Sequence, residues 1–134
     1  MLSDQSVRIF KSNLQKRILI VDDEPYNLLA LKTIIKAADT TGLLSDLVDA
    51  AVNGSDALTK VKKAHQFEYA LIFMDCSMPI MDGYEATMEI RNYLRANVRQ
   101  QPMIVACTGH SEPEYIKKAW RNQMDELVAK PANV

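Results

Sequence analysis

Four apolar runs in this 134-residue chain end in a reactive polar group. Asp22 and Asp23 follow Ile18-Leu-Ile-Val21, and Asp75 follows Ala70-Leu-Ile-Phe-Met74. Thr108 follows Met103-Ile-Val-Ala-Cys107, and Lys130 follows Glu126-Leu-Val-Ala129. Runs this short and this apolar read as buried strands of a parallel sheet, covered on both faces. In open α/β sheets the ligand crevice lies outside the carboxyl ends of the strands, so these groups gather along one edge. The set is three carboxylates, one hydroxyl and one ammonium. Crowded carboxylates repel, so either one takes up a proton or together they gather a cation. Oxygen ligands of this kind suit Mg²⁺, which keeps several waters and accepts few protein ligands. A lysine and a hydroxyl beside that ion suit an anion joined to a carboxylate, and a phosphoryl group meets that description. Its transfer needs in-line positioning and charge neutralisation more than covalent help. An aspartate can itself be the nucleophile, giving an acyl phosphate.

Simpler roles stand beside these. Asp75 alone reads equally as a strand-ending turn residue. Asp22 or Asp23 could cap the following helix, although a cap needs one carboxylate and three acids are adjacent here. Gly54-Ser-Asp-Ala-Leu-Thr-Lys60 lacks the second glycine of a phosphate-binding loop. His65, beside Lys62 and Lys63, reads as a solvated helix end. Cys76 and Cys107 have no ligand-like spacing, which points to strand-end packing and a reducing compartment.

The elements that must position the set follow from periodicity. Pro25 opens a helix with Leu28, Leu31, Ile34, Ile35 and Ala38 on one face. A short strand over 47–52 leads through Asn53-Gly54 to a helix with Ala57, Leu58 and Val61 inward. A third helix runs from Gly83 to about Asn97, with Ala86, Ile90, Tyr93 and Leu94 inward. A fourth begins at Glu112-Pro113-Glu114, with Ile116, Ala119 and Trp120 on one stripe. Five strands alternating with four helices predict a doubly wound α/β sheet. A net charge of −1 suggests neither a nucleic-acid nor a membrane surface, and no apolar run approaches the length of a membrane span.

These residues also carry a resemblance. Val21-Asp22-Asp23-Glu24-Pro25, Met74-Asp75-Cys76-Ser77-Met78-Pro79-Ile80-Met81-Asp82-Gly83, Thr108 and Lys130-Pro131 resemble the response-regulator receiver domain. Ala51-Val52-Asn53-Gly54 with Asp56-Ala57-Leu58 matches a further pattern of that family, and the wording is most similar to receivers of hybrid histidine kinases. The resemblance implies a flavodoxin-like sheet of order 2-1-3-4-5 with the site at the switch point. It implies a phosphoacceptor switch in a phosphorelay, in which Asp75 takes phosphate from a histidine kinase or a histidine phosphotransfer protein. Mg²⁺ would be held by Asp23, Asp75 and the Ser77 backbone carbonyl, with Asp22 acting through water. Ser77, Thr108, Gly109 and Lys130 would meet the phosphoryl oxygens, and Thr108 would draw its loop and the helix-four surface with it. The implied setting is cytoplasmic and the domain is not an enzyme beyond slow hydrolysis of its own acyl phosphate. Its parent protein could be a histidine kinase.

Departures bear on function. Leu127 stands where the family usually has an aromatic residue, and His110 stands where members differ in phosphate lifetime. Both are expected modulators. The alternatives are an Mg²⁺-dependent phosphohydrolase, against which Ser77 stands in place of a second aspartate, and a phosphorylation-independent interaction module. Residues 1–16 read as a leader with a short helix carrying Val7, Phe10 and Leu14, and 17–134 as the receiver, ending before the usual fifth helix. Right-handed crossovers would then leave one sheet face with a single covering helix, to be covered by the leader or by a symmetric dimer.

Overall fold

The computed structural model describes residues 14–130. Strand β1 (Gln15–Val21), helix α1 (Pro25–Ala38), a 3₁₀ turn (Leu44–Leu47), β2 (Val48–Ala51) and α2 (Gly54–Lys63) form the first half. Then come β3 (Phe67–Asp75), α3 (Gly83–Ala96), β4 (Met103–Thr108), α4 (Pro113–Arg121) and β5 (Glu126–Ala129). The strands pair in parallel in the order β2-β1-β3-β4-β5, as the resemblance implied.

One face of the sheet carries the core. Leu19, Val21, Ile72, Met74, Ile104 and Ala106 point to Ala57 and Val61 of α2, Ala86, Ile90 and Leu94 of α3, and Ala119 of α4. Helix α1 contributes nothing to this cluster, and its one buried residue is Ile35. Ile34 and Ala38, expected inward on α1, are exposed. On the α1 side Ile20, Val105 and Cys107 are buried, but Met103 is 51% and Val128 43% exposed, and Ile18, Leu71 and Phe73 are half-buried. Among the described residues this face has α1 as its one covering helix and is partly bare, as expected. The cause is the connection order, which sends three helices to the opposite face.

Two boundaries differ from expectation. β1 starts at Gln15, so Gln15 and Lys16 belong to the sheet and not to the leader. β3 starts at Phe67, because a register shift lets Arg17 pair with Tyr69 and Ile18 with Leu71. Ala70 is the extra residue and is exposed, as an unpaired bulge position is free to be. Val7, Phe10 and Pro131 lie outside the described residues.

Candidate functional site

Each strand of the central three delivers its polar group through a short, tightly tied loop. After β1, Asp22 is 2% exposed. Its Oδ1 accepts from Glu24 N at 2.9 Å and from Asn27 Nδ2 at 3.3 Å, while its backbone N–H donates to Ala51 O at 3.1 Å. Glu24 is the N-cap position of α1 and makes no side-chain cap bond, so Asp22 serves the helix entry with one oxygen. The other oxygen, Oδ2, lies 3.5 Å from Lys130 Nζ. Capping thus explains half of Asp22 and leaves the other half facing the site.

After β3, the loop over 76–82 folds back against the strand end. Cys76 N–H donates to Cys107 O at 3.0 Å, and Gly83 N–H donates to Cys76 O at 3.2 Å. A Cβ on Gly83 would lie 2.1 Å from Asp75 O, and one on Gly54 would lie 2.6 Å from Met81 O. Both positions therefore require glycine by close approach. Asp82 caps α3, accepting from Glu85 N at 2.9 Å. At the tip, Met81 N–H reaches Pro79 O at 2.8 Å and Ile80 has φ 73°. A β-branched residue pays strain there, and such strain collects at functional loops. Ile80 is 83% exposed.

After β4 and β5, Lys130 N–H donates to Thr108 O at 2.8 Å, which fixes the residue following β5 beside the end of β4. Thr108 is buried, and its Oγ1 accepts from His110 N at 3.0 Å. Lys130 Nζ stands 2.9 Å from Asp75 Oδ1.

Carboxylate oxygens of Asp22, Asp23 and Asp75 all lie within 4.8 Å of one another. Asp75 is 1% exposed. Its Oδ1 accepts from Ser77 N at 3.2 Å, and its Oδ2 is buried with no hydrogen-bond partner among the described residues. Burial pushes the Asp75 carboxyl up to about 6, Lys130 opposes the shift, and neighbouring Asp22 adds to it. For Lys130 burial works against the charge, but Asp75 and Asp22 outweigh it and lift the ammonium above its ordinary value. One ammonium among three carboxylates leaves excess negative charge, and an orphaned buried oxygen awaits an electrophile or a cation. The donor set is all oxygen and partly buried, which fits a hard divalent cation.

Asp75, Ser77, Thr108, Gly109, His110 and Lys130 line one open cavity of about 510 Å³. Leu127 is not among its lining residues; it packs half-buried against the core. Trp120 is 46% exposed. The thiols of Cys76 and Cys107 are buried, and burial pushes them up to about 11 and about 12. Protonated thiols of that kind are poor nucleophiles, in keeping with packing roles. Sequence reasoning passed over Asp82 as a cap, although its spacing to Glu85 is a capping signal. It also passed over two ring contacts, Lys118 with Tyr84 and His110 with Tyr115, which leave no periodic trace.

Comparison with known proteins agrees with this fold. Residues 18–134 match the family described as the response regulator receiver domain. Hybrid signal transduction histidine kinase A of Dictyostelium discoideum is 32% identical over 117 residues, covering 87% of this chain and 5% of that protein. The chain therefore spans a small part of the curated relatives of this kind. The crystal structure of the receiver domain of the histidine kinase CKI1 from Arabidopsis thaliana, complexed with Mg²⁺, is similar at 31% identity and TM-score 0.73. It covers 90% of this chain and 87% of that one. A co-crystal structure of the Saccharomyces cerevisiae histidine phosphotransfer protein Ypd1 and the receiver domain of Ssk1 is similar at 26% identity and TM-score 0.74. It covers 90% of this chain and 81% of that one.

Proposed function

We propose that this chain, which belongs to the family of response regulator receiver domains, is a phosphoacceptor switch of a phosphorelay with Asp75 as the accepting residue. The observation that carries the reading is the buried, unpartnered Asp75 Oδ2 beside Lys130 and two further acids. With its carboxyl near 6, Asp75 is mostly ionised at neutral pH and available as a nucleophile. Its oxygen attacks phosphorus of a donor phosphohistidine. The P–N bond breaks, its electron pair returns to the imidazole nitrogen, and an acyl phosphate results.

Lys130, already on Asp75 Oδ1, is placed to neutralise phosphoryl oxygens as they arrive. Ser77, Thr108 and Gly109 line the same cavity and supply hydrogen-bonding groups around them. Asp23, Asp75 and the Ser77 backbone carbonyl would hold Mg²⁺, with Asp22 contributing through water. The bound ion would supply neutralisation of charge that one lysine leaves incomplete. His110, at the cavity mouth, sets access of water to the acyl phosphate, and Leu127 leaves the site without an aromatic reporter. Slow hydrolysis of that acyl phosphate is the chemistry expected of the domain alone.

The donor is a histidine kinase or a histidine phosphotransfer protein. Tyr26, Leu29, Val52 and Ile80 are between 55% and 83% exposed and all follow closely on the carboxyl ends of β1, β2 and β3. Exposed apolar side chains on the strand-end side of the domain suit a protein partner better than a small solute. The reading places the domain in the cytoplasm; no helix among the described residues is long and apolar enough to cross a membrane. Transfer from a radiolabelled phosphohistidine protein tests it. Label should move to the wild-type chain and remain on the donor with Asp75→Asn. Equal labelling of both chains would refute the assignment.

A further inference from the structure

Helix α4 is the least anchored element beside the site. Of its residues only Ala119 is buried. Two ring contacts supplement it. Lys118 Nζ lies 4.4 Å from the centroid of the Tyr84 ring at the start of α3. Tyr115 stacks on His110, with centroids 4.2 Å apart and planes 13° from parallel. The two contacts differ in kind, because His110 belongs to the loop that follows Thr108. Its backbone N–H donates to Thr108 Oγ1 at 3.0 Å. Direct contacts therefore run from a hydroxyl that shares the cavity with Asp75, through His110, to the first turn of α4.

We propose that the His110–Tyr115 stack is the link through which a phosphoryl group on Asp75 repositions helix α4. The inference rests on the phosphoacceptor reading. As acceptor of the His110 N–H, Thr108 Oγ1 is held in a rotamer directed to its own loop. Phosphoryl oxygens are charged acceptors and form the stronger kind of hydrogen bond. Turning the hydroxyl toward them withdraws Oγ1 from His110, and a backbone N–H so released must follow or find another partner. The backbone and ring of His110 are one residue, so a shift of this loop carries the ring, and the ring bears on Tyr115. A helix with one buried alanine offers little resistance. Leu127 packs into the core away from the cavity and has no part in this chain of contacts.

Trp120 is the one tryptophan of the chain, sits on α4 and is partly exposed, so its emission reports on that helix. Wild-type protein given Mg²⁺ and a small acyl phosphate should change Trp120 emission in step with phosphate incorporation read by intact mass. Tyr115→Leu should incorporate phosphate and lose the emission change. Tyr115→Phe keeps the stacking ring and should keep the change, which separates the link from a folding defect. Lys118→Met releases α4 from Tyr84 while leaving the stack in place, and should keep it as well. A Tyr115→Leu protein that responds like wild type overturns the proposal. So does a phosphorylated wild type with Trp120 unmoved, or loss of the response in Lys118→Met. Failure of the wild type to take up phosphate overturns instead the phosphoacceptor reading, and this link with it.

Discussion

The two edges of the sheet treat acids in opposite ways. Toward the amino ends of the strands Asp49 and Glu68 each have their own cation. Arg17 donates through Nε and Nη2 to the two oxygens of Asp49 at 3.0 and 2.8 Å, and Tyr69 Oη donates to the same carboxylate at 2.7 Å. Lys16 pairs with buried Glu68, although Glu68 Oε1 has no hydrogen-bond partner among the described residues. The hydrogen bond from Arg17 leads the causes that hold the Asp49 carboxyl below its usual range. At the carboxyl edge three carboxylates crowd together, two of them, Asp22 and Asp75, share Lys130, and burial drives Asp75 the other way, to about 6. One residue type is thus stabilising at one edge and destabilising at the other. The difference lies in the ratio of cations to acids, and it marks the carboxyl edge as the one arranged for chemistry.

The largest effect is expected from Asp75→Asn. The folded pKa of Asp75 lies above the unfolded carboxylate value of about 4. Stability linked to it is therefore complete below that value and is lost as pH rises through 6. Removing the charge should stabilise the metal-free protein by about 3 kcal/mol above pH 7, fading to nothing near pH 4. Denaturant titrations of both proteins across that range measure it. A pH-independent difference would mean that Asp75 is not the strained carboxylate.

Asp49→Asn should act in the reverse direction. Its folded pKa is lowered, so its contribution is present above the unfolded value and is lost as pH falls through the folded one. The pair is partly solvated, so the loss at neutral pH is about 1–2 kcal/mol. A stabilising Asp49→Asn would erase the contrast between the edges.

Mg²⁺ would supply the carboxyl edge with its missing positive charge. At about ten times its Kd the ion should stabilise wild type by about 1.4 kcal/mol, and Asp23→Ala should lose most of that gain. Thermal melts with and without Mg²⁺ decide it, and an equal response of the two proteins would remove Asp23 from the ligand set.

The smallest effect is expected at Ile80→Gly. Relief of the positive φ is offset by the entropy glycine adds to the unfolded chain, leaving a net gain below about 1 kcal/mol. Phosphotransfer from a protein donor should nevertheless slow while uptake from a small donor does not change. Equal slowing with both donors would place Ile80 in the chemistry and not at a docking surface.

Much of this was legible in the chain. Apolar runs closed by Asp22, Asp75, Thr108 and Lys130 fix both the strands and the edge where their tails meet, because a parallel sheet aligns strand ends. Asp22, Asp23, Asp75 and Lys130 do come together, and Thr108 shares the cavity lined by Asp75 and Lys130. The register shift that exposes Ala70 was not legible, since it depends on how two strands pair and not on either alone. Nor was the left-handed turn at Ile80, which runs against the preference of a β-branched residue. The stack of His110 on Tyr115 joins a loop to a helix, and such contacts follow from packing geometry, not spacing.

The central claim is that Asp75 is the phosphoacceptor of a site completed by Mg²⁺. Intact-mass analysis followed by peptide mapping, after incubation with a small acyl phosphate with and without Mg²⁺, tests it most directly. A single phosphoryl adduct is expected, dependent on Mg²⁺, located on Asp75 and absent from Asp75→Asn. An adduct on another residue, or one that persists in Asp75→Asn, would contradict it.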